Sequence, residues 1–477
     1  MNIHHVLALK RALDHLQSGR PVRTIEIAAR VLEQDQENAD AWFLSGVASQ
    51  QAGQTIQALD HLDRACRLVP DSWDYLNHRA TVLCGLGRFQ EGRSDYERSL
   101  NLRHDHPETL ANLARLHVLM QRHDLAQPLF RRALSLEPAN PSLHGDLGVC
   151  LVALRCLDAG IASYRAGLAL DPEDAEIHYN LSRALLMVGD YAGGWLENEW
   201  RWQTRHYRQV GKKFPYPLWL GEPLNGQTIL LMQEQGFGDA IQMVRYAPLV
   251  ARRGGKVVIL CDRPLQELFA AISVVEQVLT LEDPLSKADC CCPMLSLPKI
   301  FETRLETIPL ETPYLHPPPN MTLPGWNKPE RHPAVGVVWR GKSRGQLTAT
   351  AFKPLFQVQG IHFLSLQKDT LPGELGGLSL TDTQTQLTDF AATSVILSSL
   401  DLVISMETAV AHLAGAMGKP VWILIPYASD WRWMTERTSA PWYPSATLYR
   451  QTSPDSWTGI IDQLARDLSA WVEKFHT

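Results

Sequence analysis

The chain has 477 residues, with 45 Lys or Arg against 51 Asp or Glu and a formal net charge of −6. That length exceeds what one hydrophobic core ordinarily holds, so two or three domains are expected. A net-negative chain without a basic block excludes a phosphate-backbone footprint, and nucleic acid is not expected as a partner.

The opening MNIHHVLALKRALDHL reads as an amphipathic helix rather than a secretory signal. No apolar run approaches the ~18 residues of a membrane span, so a cytoplasmic protein is expected. A period then dominates the first part of the chain. Pro70, His104, Pro138 and Pro172 are spaced by 34, the length of the tetratricopeptide helix pair. Small residues keep the same register at Gly46, Ala80, Ala114, Gly148 and Ser182, and again at Ala58, Gly92, Ala126, Gly160 and Gly194. Large ones recur at Leu62, Tyr96, Phe130 and Tyr164, so that large faces small, and Gly19, Gly53, Gly87 and Gly189 mark hairpin turns. Five units are expected from about 39 to about 208, behind a weaker capping unit, forming an α solenoid over 1–208.

From Trp195 the side chains become too bulky for the small-residue slots, and Pro215, Pro217 and Pro223 break the helical pattern in a packed linker. Apolar runs follow. TILLM and KVVIL predict buried parallel strands with a helix over 239–253 between them, giving a first α/β domain with its linker at 209–325. After a proline-rich stretch, AVGVVW, HFLSL, DLVIS and PVWILI predict the strands of a second α/β domain at 326–477, with a helix over 408–417. Paired strand–helix modules imply a ligand in the cleft between them. Eight cysteines lie scattered without CxxC or Cys/His spacing, which argues for reduced thiols and against a metal site.

Four motifs bear polar chemistry. In EQGFGD, Gly236 and Gly238 permit a tight turn and close approach of a ligand, and Asp239 is placed where a carboxylate accepts a proton from an incoming hydroxyl, or simply caps the helix. In SMETAVAHLAGAMGKP the helix starting near Thr408 offers free N–H groups to an anion. Thr408 and His412 share a face, though a lone helical His is often structural. In WRGKSRG, Arg340, Lys342 and Arg344 lie on a loop suited to phosphate, and DWRWM with Trp442 and Tyr443 is an aromatic loop that holds a sugar or covers the domain.

Together EQGFGDAIQMVRY, MLSLPKIF, SLDLVISMETAVAHLAGAMGKPVWILIPY and DWRWM resemble bacterial tetratricopeptide proteins whose C-terminal half is a GT-B glycosyltransferase similar to family 9, the heptosyltransferases. The resemblance implies two Rossmann-like domains around a nucleotide-sugar, inversion without metal or bound cofactor, and Asp239 as base. It places His412 beside it in the catalytic set, and Gly236, Gly238, Trp339, Lys342, Glu407, Thr408 and Ala409 against the donor. Relatives carry Asp where Glu407 stands, and the loop after Trp339 lacks their fuller polar pattern, which leaves Lys342 or Lys353 as the phosphate contact.

One register of the first helices reads Leu44, His78, Asn112, Asp146 and Asn180. Asn112, Asp146 and Asn180 resemble the asparagine ladder of tetratricopeptide protein O-glycosyltransferases, which implies a protein or peptide acceptor, the flagellin glycosyltransferases being the nearest layout. Two other readings stand beside it: a catalytically inactive repeat scaffold, and transfer to a lipopolysaccharide-type glycan.

Overall fold

The structure, a computed structural model, describes residues 3–210, 214–285, 287–326, 333–341, 347–454 and 456–475. By their contacts they form two compact units, Met1–Asp174 and Ala175–Thr477.

The first unit is a stack of helix pairs: α1 (Ile3–Gln17) with α2 (Pro21–Gln34), α3 (Ala39–Gln51) with α4 (Thr55–Leu68), α5 (Trp73–Gly85) with α6 (Phe89–Leu102), α7 (Pro107–Leu119) with α8 (His123–Leu136), and α9 (Pro141–Ala153) with α10 (Leu157–Leu170). The period is physical at each joint. Asn38, Ser72, His106 and Asn140 each accept a backbone N–H three residues on, satisfying one orphan donor at the start of α3, α5, α7 and α9. The hairpin turns fall at Gly19, Gly53, Gly87, Gln121 and Arg155, all with positive φ between 61° and 77°. Two non-glycines therefore hold a backbone conformation that costs an L-residue about 1–2 kcal/mol. The small-against-large interlock is also real: a Cβ on Gly46 would meet Leu62 Cγ at 2.7 Å, and one on Gly148 would meet Tyr164 Cε1 at 2.4 Å.

Helices α11 (Ala175–Val188) and α12 (Tyr191–Asn198) continue the register but belong to the second unit. Bulky side chains explain the change. Trp195 lies edge-on to Trp431 and Trp442, with ring centroids 5.2 and 6.3 Å away, and Trp442 Nε1 donates to Tyr191 Oη at 3.0 Å. After α13 (Arg205–Val210) come β1 (Thr228–Met232), α14 (Phe237–Met243), α15 (Ala247–Arg252), β2 (Lys256–Leu260), α16 (Gln266–Ala270), β3 (Val275–Leu279), β4 (Cys290–Pro293) and α17 (Leu297–Ile300). The strands form a parallel sheet in the order β3-β2-β1-β4. The expected helix over 239–253 breaks into α14 and α15 around a 3-10 turn, with Pro248 in the first turn of α15.

A second parallel sheet, ordered β10-β9-β8-β5-β6-β7, comprises β5 (Ala334–Val338), β6 (His362–Ser365), β7 (Thr381–Asp382), β8 (Leu402–Met406), β9 (Val421–Ile425) and β10 (Ala446–Arg450). Its helices are α18 (Lys353–Phe356), α19 (Phe390–Ser398), α20 (Ala409–Ala416) and α21 (Thr458–Phe475). Strand β5 is buried throughout, as a continuous apolar run in mid-sheet should be. The unit is thus two parallel sheets with helices, an α/β architecture. Among the described residues no helix is long and apolar enough to cross a membrane.

Candidate functional site

The two sheets meet at the ends of β1 and β8, where α14 packs on α20. Gly238 makes that approach possible: a Cβ there would lie 2.8 Å from His412 Cδ2. The glycine expected to admit a ligand instead admits a histidine ring. His412 is buried, its Nδ1 is 2.8 Å from Tyr443 Oη, and Trp433 lies 5.3 Å from it, centroid to centroid. Burial, aided by the Arg432 charge, pushes its pKa down to about 3, so the ring is neutral at pH 7.

Around this joint the structure gathers charges that lie far apart in sequence. Arg432 of DWRWM donates through Nη2 to Asp239, through Nη1 to Asp430 at 2.8 Å, and through Nε to Gln242 Oε1. Arg183, on α11, donates through Nη2 to Asp430 at 3.2 Å. Burial opposes charge on both Arg432 and Asp430, but their attraction keeps the arginine protonated and, with Arg183, holds the Asp430 carboxyl below its ordinary pKa. Glu407 goes the other way. Burial and then the Asp430 charge push it up, against the opposite pull of Trp433, Arg432 and Arg183. Because Gln242 Oε1 must face the Arg432 Nε–H, the amide's orientation is fixed, and its wholly buried Nε2 has no acceptor among the described residues.

A cavity of about 180 Å³ opens here, lined by Tyr179, Arg183, Gln235, Asp239, Asp430 and Arg432 among others. The Asp239 side chain retains 21% of its exposure, so a ligand in the cavity can reach it. At the second sheet Thr408 is the N-cap of α20 but makes no side-chain cap bond; its hydroxyl lies 2.9 Å from Ser405 Oγ. Gly341 packs beside it, where a Cβ would meet Thr408 Cγ2 at 2.9 Å, so the loop after β5 reaches the α20 start. Ala409 is the first residue of that helix.

The Gly-rich loop is tethered from behind. Glu234 takes a two-pronged contact from the fully buried Arg201, at 2.8 and 3.1 Å, and accepts the Leu295 N–H at 2.9 Å. Arg201 also reaches Glu199 at 2.7 Å and Ser296 at 2.8 Å.

Asp239, Gly236, Gly238, Glu407, Thr408, Ala409 and His412 therefore cluster in one region. Trp339 is a correction: it is wholly buried in the core of the second sheet, with Nε1 donating to Glu374 at 2.8 Å, and does not face a ligand. Lys342 and Arg344 lie outside the described residues. In the repeats, Arg115 bridges Asn112 Oδ1 at 3.1 Å and Asp146 Oδ2 at 2.8 Å, so these acceptors are already engaged. Burial raises the Asp146 pKa and Arg115 opposes it. Asn180 belongs to the second unit. Sequence reasoning missed Arg183, Arg201 and Arg115, and assigned no charge role to Arg432 and Asp430; the only local signal was DWRWM itself, where Asp430 caps the 3-10 turn Trp431–Trp433. Among the described residues no three His, Cys, Asp or Glu side chains converge as metal ligands.

Family models of the tetratricopeptide repeat match residues 74–137 and, separately, 9–72 and 151–194. The chain is similar to Protein FlbA of Caulobacter vibrioides, 25% identical over 334 residues that cover 60% of this chain and 54% of that protein. It is also similar to Superkiller complex protein 3 of Mus musculus, 27% identical over 112 residues, or 24% of this chain and 7% of that one. The chain thus spans about half the length of the first relative and a small part of the second. Among solved structures, YrrB, a tetratricopeptide protein with an unusual peptide-binding site, matches 38% of this chain and 94% of its own at 17% identity and a TM-score of 0.33. MamA matches 37% and 96% at 15% identity and a TM-score of 0.32.

Proposed function

We propose that this repeat protein is an inverting, metal-independent glycosyltransferase of the GT-B type, which moves a sugar from a nucleotide-sugar to a Ser or Thr of a protein acceptor held by its repeats, flagellin being the specific case. The observation that carries this reading is the packing of α14, which bears Asp239 beside the first sheet, on α20 of the second, with Asp239 and Arg432 bonded to each other in the wall of one cavity. Such a joint is where parallel α/β sheets take ligands.

The chemistry follows from those groups. Asp239 accepts the proton of the acceptor hydroxyl as its oxygen attacks the anomeric carbon. The bond from that carbon to the phosphate oxygen breaks, and the departing phosphate keeps the electron pair. Backbone N–H groups at the α20 start, where the helix dipole is positive, stabilise that charge without a metal. His412, neutral and bonded to Tyr443, holds the α14 turn against α20 rather than transferring a proton. The acceptor-holding role is proposed for Asn112 and Asp146 together with Arg115, which bonds an oxygen of each.

The test is transfer of sugar to protein, read by intact-mass spectrometry after incubation with a nucleotide-sugar. Asp239→Ala should abolish transfer and leave nucleotide binding in place; full transfer by that variant removes Asp239 from the mechanism. A scaffold without turnover is the second reading. Its support is the cavity, about 180 Å³, which is below the ~300 Å³ at which ligand sites begin. A purified protein that binds no nucleotide-sugar would favour it.

A further inference from the structure

Asp239 and a phosphate have a reason to compete for one guanidinium. Of the groups holding Arg432, Asp430 is on the same turn and is itself anchored by Arg183, whereas Asp239 comes from the first sheet, 193 residues away in sequence. The Asp430 contact is therefore fixed by local structure, and the contacts to Asp239 and Gln242, both on α14, are those that separate if the two sheets move. Arg432 also lies over the Trp431 ring, 4.3 Å from its centroid, which fixes the plane of the fork.

Three observations place the Asp239 contact where a ligand would meet it. Asp239 and Arg432 both line the cavity, so a ligand there meets the contact between them. Helix α20, whose start is the proposed phosphate position, packs on α14, which carries Asp239. Beside Arg432 the Gln242 amide keeps a buried donor with no acceptor among the described residues.

We infer that Arg432 is a ligand for the donor's phosphate, that Asp239 holds it while the site is empty, and that arrival of the phosphate takes the guanidinium and frees the Asp239 carboxylate for the acceptor hydroxyl. This rests on the transferase reading. It gives the reaction an order: the donor binds first, and only then is the base available. No covalent bond changes in the exchange; one charge-assisted hydrogen bond to a carboxylate is replaced by one to phosphate.

The experiment is a double-mutant cycle on nucleotide affinity, measured by titration calorimetry with CMP, CDP, UDP, GDP and ADP as probes. Asp239→Asn removes the competitor and should tighten binding about tenfold, while Arg432→Gln should weaken it by about ten- to a hundredfold, the range for a hydrogen bond to a charged group. In the Arg432→Gln background, Asp239→Asn should gain nothing. If Asp239→Asn is not tighter, or is equally tighter with and without Arg432, the exchange is overturned while a nucleotide site remains. If no probe binds the unaltered protein or Asp239→Asn, the transferase reading falls and the exchange with it. Arg432→Met, which removes the charge and keeps the apolar stem, replaces Arg432→Gln in the cycle if the latter does not fold, with the same two outcomes.

Discussion

Removing Arg201 tests whether the loop carrying Asp239 is held in place by a buried charge. Its side chain is 0% exposed, and that of its partner Glu234 is 3% exposed. In Arg201→Met the two contacts at 2.8 and 3.1 Å disappear, while Glu234 keeps the Leu295 N–H. Glu199 loses its cation as well. Breaking a buried pair by deleting one member costs about 3–5 kcal/mol, because the remaining charge is left in a poor solvent. Arg201→Lys keeps the charge but not the fork, and should cost less. Replacing both members, as in Arg201→Met with Glu234→Leu, removes the stranded charge and should recover most of the loss. The assay is urea denaturation followed by hydrogen exchange at amides 234–239, since the chain has two compact units and a single unfolding free energy is not defined for it. A loss below about 1 kcal/mol in Arg201→Met, or no recovery in the double variant, would refute the reasoning.

Smaller perturbations check the rest. Gln121→Gly and Arg155→Gly, at φ 62° and 61°, should each stabilise the first unit by roughly 0.5–1 kcal/mol, read from urea midpoints, because relieved strain exceeds the added chain entropy. Gly148→Ala should destabilise the same unit by about 1–3 kcal/mol, since its Cβ would press on the buried Tyr164 ring. His412 has a native pKa below its unfolded value, so its stabilisation is complete above about pH 6.5 and is lost as pH falls toward 3, by up to about 1.4 kcal/mol per pH unit. Glu407, raised in the native state, stabilises in the opposite direction as it takes up its proton between neutral pH and the ordinary carboxyl range. Glu407→Gln should therefore make denaturation midpoints fall more steeply between pH 7 and 5 than in the unaltered protein, and His412→Gln should flatten them.

The repeats were legible because packing small against large at every joint leaves a fixed period, and Gly46 with Leu62 and Gly148 with Tyr164 are that period in space. Strands β1, β2, β5, β6, β8 and β9 were legible because buried parallel strands are apolar runs. Strand β3, VEQVL, was not, since an edge strand with two exposed polar residues shows no such run. Strand β4 went unseen because CCCP reads as cysteine chemistry before it reads as a strand, although all four residues are buried. The site was half legible. Asp239, Glu407 and the α20 start carry local signatures of turn and cap, whereas Arg432 and Arg183 act through partners 193 and 247 residues away, and no local pattern encodes such a pairing.

Hydrogen exchange with and without a nucleotide-sugar, monitored at peptides covering residues 235–241 and 407–413, measures whether one ligand engages both sheets. The account predicts that a single donor slows exchange in both segments together. Protection of one segment alone, or of neither under a donor that demonstrably binds, would contradict it.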